Sequence, residues 1–146
     1  MQEISKFSER LSELMFYNDN IASYKLAQKL GFGISTISQW KTGKRSPTLS
    51  NAVCLANYFG CSLDFLSERI DDDIKFTPQP LLPFPERLVQ ILKERKVSWY
   101  KVTIDTKLSE SNMRDWRRGC LPHLPILIEL ADYLNVSIDY LVGRDR

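Results

Sequence analysis

Apolar residues along this chain recur at three- and four-residue spacing rather than at every second position. Phe7, Leu11 and Leu14 fall on one helical face, and Leu88, Ile91 and Leu92 do the same further on. Tyr24 to Leu30, Ile34 to Lys41 and Leu49 to Phe59 read as three more helices, closed by Gly31, Gly43 and Gly60. Ser62 and Ser137 stand where the N-cap of a final short helix belongs. No segment alternates convincingly as a strand would, so the pattern predicts an all-α chain.

The pattern is also used twice. Phe7-Ser8-Glu9-Arg10-Leu11 returns as Phe84-Pro85-Glu86-Arg87-Leu88, and Trp40-Lys41-Thr42-Gly43 as Trp116-Arg117-Arg118-Gly119. Leu55-Ala56-Asn57-Tyr58-Phe59 returns as Leu130-Ala131-Asp132-Tyr133-Leu134, and Ser62-Leu63-Asp64-Phe65-Leu66 as Ser137-Ile138-Asp139-Tyr140-Leu141. The offset falls from 77 to 76 to 75, so two single-residue length changes separate the copies. Asn135 takes the place of Gly60, and both residue types tolerate the left-handed conformation that ends a helix. Between the copies, Asp71-Asp72-Asp73 and then Pro78, Pro80 and Pro83 disfavour helix, and residues 70–83 read as a linker. The predicted organisation is five helices in 1–69, a linker over 70–83 and five helices in 84–146.

Composition excludes more than it assigns. An apolar share of 43% suffices for packed cores, while a net charge of +2 is a weak footprint for a nucleic-acid binder. It splits evenly: residues 1–69 hold 8 basic and 6 acidic side chains, 70–83 hold 1 and 3, and 84–146 hold 11 and 9. No apolar run reaches membrane-spanning length, and Met1 to Arg10 lacks the apolar core of a signal peptide. Cys54, Cys61 and Cys120 form an odd set without paired spacing, read as free thiols in a reducing cytoplasm, with Cys54 and Cys61 in or beside the core. Cys120-Leu121-Pro122-His123 has ligand-like spacing, but the chain's single histidine and the lack of a second nearby cysteine leave a zinc site incomplete. No catalytic arrangement of side chains, cofactor motif or small-molecule site is visible. The tyrosines and tryptophans mostly recur at matching repeat positions, which suggests packing.

The informative stretch is Leu26-Ala27-Gln28-Lys29-Leu30-Gly31-Phe32-Gly33-Ile34-Ser35-Thr36-Ile37-Ser38-Gln39-Trp40. One helix ends at a glycine, a tight turn follows and a second begins, with Ala27 small at the crossing and Leu26, Leu30 and Ile37 packing between them. This stretch, with Gly43-Lys44-Arg45-Ser46-Pro47, Leu55-Ala56 and Ser62 to Leu66, resembles the Cro/lambda-repressor family of xenobiotic-response-element type over nearly all of residues 5–69. Leu108 to Trp116 and Leu130 to Arg144 carry the same resemblance into the second copy. That copy departs from the pattern at Val102-Thr103, Thr106 and Lys107, where a positive φ would strain the lysine.

The resemblance implies two lambda-repressor-like domains, each with its second helix in the major groove of double-stranded DNA. Carried over by position, Ile34, Ser35, Thr36 and Gln39 face bases in the first copy, and Ser23, Lys41, Thr42, Lys44 and Arg45 meet phosphate. In the second, Glu110, Ser111, Asn112 and Asp115 face bases, and Trp99, Arg114, Arg117 and Arg118 meet phosphate. Gln39 and Asn112 suit adenine, carboxylates suit cytosine N4, and Ile34 suits a thymine methyl. The bland counterparts are a core role for Ile34, helix caps at Ser23 and Ser109, and solvated charges at Lys41, Lys44 and Arg45. A free 14-residue coil would span ~20 Å on average and about 45 Å at full stretch, enough for half-sites about 34 Å apart. The reading is a cytoplasmic, nucleoid-associated transcriptional regulator without cofactor or metal. Its alternative is an adapter whose second domain binds a protein partner or makes a homodimer.

Overall fold

The computed structural model describes residues 6–73 and 75–146. Residues 1–5, half of the stretch assessed as a leader, and residue 74 lie outside them. The described residues form helices and no strand, as the spacing predicts. They separate into two units, with Lys75 ending the first and Phe76 beginning the second.

The first unit holds α1 (Lys6–Tyr17), α2 (Ser23–Leu30), α3 (Ile34–Lys41), α4 (Leu49–Phe59) and α5 (Leu63–Leu66). Its core is Leu11, Leu26, Ile37, Leu55, Leu63 and Leu66, each fully buried. Burying one such side chain contributes roughly 1.5–3 kcal/mol. Arg10 clips the first helix to the last: Nε donates to the Phe65 carbonyl at 2.9 Å, and Cζ lies 3.9 Å from the Phe65 ring centroid. Asp64 pairs with Arg69 across the end of α5.

The second unit holds α6 (Phe84–Glu94), α7 (Trp99–Asp105), α8 (Glu110–Arg117), α9 (Leu124–Leu134) and α10 (Ile138–Val142). The same clips recur. Arg87 donates to the Tyr140 carbonyl from Nε at 3.1 Å and Nη2 at 2.9 Å, over the Tyr140 ring. Asp139 and Arg144 pair at 2.5 Å, both 2% exposed. Ser62 and Ser137 cap α5 and α10 as read, accepting from the Phe65 and Tyr140 amides. Gly60 and Asn135 both take left-handed conformations.

Three expectations change. Residues 75–83 are free of helix, as their prolines require, but 70–83 is not a free coil. Asp73 Oδ1 accepts the Ser62 amide at 3.0 Å in the first unit. In the second, the Gln79 amide donates to the Arg144 carbonyl at 2.8 Å and the Leu82 amide to that of Val142 at 3.2 Å. Leu82 lies against Gly143, where an added Cβ would sit 2.7 Å from Leu82 Cγ and φ is already +87°. The reach of a 14-residue coil therefore does not apply. Cys54 is exposed rather than in the core, whereas Cys61 is buried. Tyr24 and Tyr100 recur at matching positions yet are 55% and 72% exposed, so recurrence there does not mean packing.

Candidate nucleic-acid interface

In the first unit the crossing of α2 and α3 is set by small and apolar residues turned inward. Leu26, Ala27, Ile37 and Trp40 are all buried. Trp40 anchors α3: its ring meets Phe32 edge-on at 5.2 Å and Phe7 at 6.4 Å, and its carbonyl accepts the Ser8 hydroxyl at 2.5 Å. With Ile37 and Trp40 committed to the core, the opposite side of α3 is presented outward. Ile34 is 57% exposed, which removes the core reading for it. Ser35 is exposed, and Thr36 and Gln39 are half-buried.

Both helices begin without a side-chain cap, at Ala22 for α2 and Gly33 for α3. Ser23 is the first residue of α2 rather than its cap. First-turn amides without an intrahelical acceptor suit an anion such as phosphate. After α3 the chain folds back on Gln39, whose carbonyl accepts the Lys44 amide at 2.9 Å and the Arg45 amide at 3.3 Å. Lys44 and Arg45 are exposed and Lys41 half-buried. Thr42 departs from its expected role. Its hydroxyl donates to the Ser38 and Gln39 carbonyls at 3.0 and 3.3 Å, so its one hydrogen is not offered to phosphate in this conformation.

One signal was missed by counting charge over whole copies. Residues 20–63 contain Lys25, Lys29, Lys41, Lys44 and Arg45 and no acidic residue at all. The acids that reduce residues 1–69 to +2 lie outside this window, at Glu3, Glu9, Glu13, Asp19, Asp64 and Glu68. A local count over the helix-turn-helix and its flanks would have found the basic face.

The second unit keeps the scaffold and changes the surface. Trp116 matches Trp40 and meets Phe84 edge-on at 5.1 Å. The Trp99 side chain turns away from the phosphate position: its ring packs on Trp116 at 5.8 Å, and its Nε1–H is buried without an acceptor, while its backbone begins α7. It supplies the aromatic contact that Phe32 makes in the first unit. The turn is rebuilt. Thr106 is extended (φ −127°, ψ 179°), its hydroxyl donates to the Val102 carbonyl at 2.7 Å, and it accepts the Leu108 amide at 3.1 Å. Lys107 is not among the residues with positive φ, so the anticipated strain is absent.

Asn112 is diverted as well. Its Oδ1 accepts the Ser109 amide at 2.8 Å, closing a capping box at the start of α8. Two-point pairing with adenine needs that same oxygen. Glu110, Ser111 and Asp115 are exposed, as are Arg114, Arg117 and Arg118. Cys120 and Leu121 occupy the places of Lys44 and Arg45 at the repeat offset of 76. Residues 96–138, which match 20–63, carry six basic and five acidic side chains.

A family model described as Helix-turn-helix matches residues 20–66, from just before α2 to the end of α5. Residues 20–66 are a helix-turn-helix domain. The match supports DNA binding by this part of the chain, and the inward and outward faces of α3 are those such a domain requires. Comparison with curated proteins and with solved structures brought no match. No helix among the described residues is long and apolar enough to cross a membrane. No cluster of His, Cys, Asp or Glu among them could hold a metal ion, Cys120 and His123 included.

Proposed function

We propose that this protein is a sequence-specific double-stranded DNA-binding transcriptional regulator of the Cro/lambda-repressor type. The helix-turn-helix domain lays α3 in the major groove, with Ile34, Ser35, Thr36 and Gln39 toward base edges. Ser23, Lys41, Lys44 and Arg45 hold the flanking phosphates and set the register. Bound over a promoter, the unit acts as a repressor by occlusion. The observation that carries the reading is the segregation of charge: five cations and no anion in residues 20–63, around an exposed recognition helix.

The adapter reading of the second unit has specific support. The inward ring of Trp99, the capped Asn112 and the replacement of Lys44-Arg45 by Cys120-Leu121 each leave the second unit without a group that the first unit has free for DNA. The test is duplex selection from a random pool, followed by binding measurements on the selected site. Gln39→Ala should weaken specific binding by about 1–3 kcal/mol, while Arg117→Ala should leave it unchanged. Equal losses from both would restore the reading with two DNA-binding heads. No loss from Gln39→Ala would remove α3 from base recognition.

A further inference from the structure

An open cleft of about 330 Å³ in the first unit lies between the end of α1, the start of α2 and the end of α4. Lys25 and Lys29 stand one helical turn apart along its α2 wall, and Tyr58 lines it from α4. Neither lysine makes an ion pair among the described residues, not even with Asp19, an acid on the same wall. Lys29 Nζ lies 5.8 Å from the Tyr58 ring centroid. The Tyr58 hydroxyl accepts from Asn18 Nδ2 at 2.9 Å, which leaves its own hydrogen to donate. Ile21 and Tyr24 supply apolar surface beside these donors.

The second unit shows what such groups hold. At the repeat offsets of 76 and 75, Lys25, Lys29 and Tyr58 correspond to Lys101, Asp105 and Tyr133. There the Asp105 carboxylate is engaged at both oxygens, Oδ1 by Lys101 Nζ at 3.4 Å and Oδ2 by the Tyr133 hydroxyl at 2.6 Å. The first unit keeps the lysine and the tyrosine, but the acid between them has become a second lysine. It therefore has the donors for a carboxylate and no carboxylate at that position. A carboxylate from outside would meet two ammonium groups and a hydroxyl, and such charge-assisted hydrogen bonds are the stronger kind.

We propose that this cleft binds a small organic monocarboxylate, its oxygens taken by Lys25, Lys29 and the Tyr58 hydroxyl and its apolar part laid against Ile21 and Tyr24. The proposal does not rest on the DNA-binding reading, which assigns none of these three donors a base or a phosphate. A DNA phosphate offers the same sign of charge in a tetrahedral group, and inorganic phosphate is the probe that distinguishes it.

The experiment is a titration of the isotope-labelled full chain with sodium benzoate at constant ionic strength, followed by amide NMR shifts. Benzoate should give saturable shifts grouped at residues 18–29 and at Tyr58, and benzamide, of similar shape without the charge, should give none. Tyr58→Phe should weaken binding by about tenfold. Lys29→Asp installs the acid that the second unit carries at the matching position, and should abolish binding while the rest of the spectrum stays in place. Shifts that do not begin to saturate by about 10 mM benzoate overturn the proposal. Equal shifts from benzamide, tighter binding of inorganic phosphate, or a Lys29→Asp variant that binds as the wild type does overturn it equally.

Discussion

The basic loop after α3 gives the sharpest quantitative expectation. Lys41, Lys44 and Arg45 make no side-chain ion pair or hydrogen bond among the described residues, so nothing in the protein competes with phosphate for them. Each phosphate neutralised on B-DNA contributes about −0.9 to the slope of log affinity against log salt. Removing two with Lys44→Ala and Arg45→Ala should flatten the slope by about 1.8. Across a fourfold rise in salt, from roughly 50 to 200 mM, the double variant should lose about twelvefold less affinity than the wild type. The matched control, Arg117→Ala with Arg118→Ala, should leave the slope where it was. Fluorescence anisotropy with a labelled selected duplex, repeated at four or more salt concentrations, measures both. A wild-type slope in the Lys44/Arg45 variant would show that these are ordinary solvated charges and that the loop does not meet phosphate.

Other expectations concern what holds the second unit together. Asp139→Asn leaves the Arg144 guanidinium buried at 2% exposure without its counter-charge, and should cost about 3–5 kcal/mol in denaturant unfolding. Asn112→Ala removes the bond to the Ser109 amide and should cost about 1 kcal/mol of stability with no change in DNA sequence preference. The Tyr133 hydroxyl donates to Asp105 Oδ2 at 2.6 Å; that bond, with Lys101 nearby, lowers the Asp105 pKa from its ordinary 3.8 and raises that of Tyr133 from 10.0. The carboxylate contribution is present above 3.8 and fades as pH falls through the lowered value, and the phenol contribution is present below 10.0 and fades as pH rises through the raised one. The stability difference between wild type and Tyr133→Phe should therefore be level between these limits and shrink at both ends, and a difference independent of pH would sink the assignment.

Much of this fold was legible because packing imposes spacing. Ile34 to Lys41 and Leu49 to Phe59 are helices over the bounds their apolar positions and glycines mark, and Ser62 and Ser137 cap as their residue type suggests. The fate of individual polar groups was less legible, because it depends on competing partners that spacing does not reveal. The Thr42 hydroxyl finds two carbonyls of its own helix, and Asn112 finds a helix N-terminus three residues back. Trp99 occupies a position at which a small polar residue would meet phosphate, but an indole beside Trp116 gains more from the aromatic contact than from solvent. The docking of residues 76–83 was hidden for a related reason. Prolines rule out helix, yet they leave the amides of Gln79 and Leu82 free to find carbonyls at the end of α10.

The two copies separate what a fold needs from what an interface needs. Arg10 and Arg87, Asp64 and Asp139, Arg69 and Arg144, and Trp40 and Trp116 make the same contacts in both units. All but the half-buried Arg69 are buried, where a change would leave a charge or a cavity unfilled. The outward positions carry no such penalty and have moved freely: Ile34 to Glu110, Gln39 to Asp115, Lys44 to Cys120, Arg45 to Leu121. Resemblance concentrated in buried positions therefore establishes that the second copy folds as the first does, without extending the first copy's partner to it. The positions that differ give the second unit an exposed Ile104 and Leu121 beside charges of both signs. DNA presents one sign of charge along its backbone, whereas the exposed face of α8 sets Glu110 and Asp115 among three arginines, Arg114, Arg117 and the adjoining Arg118.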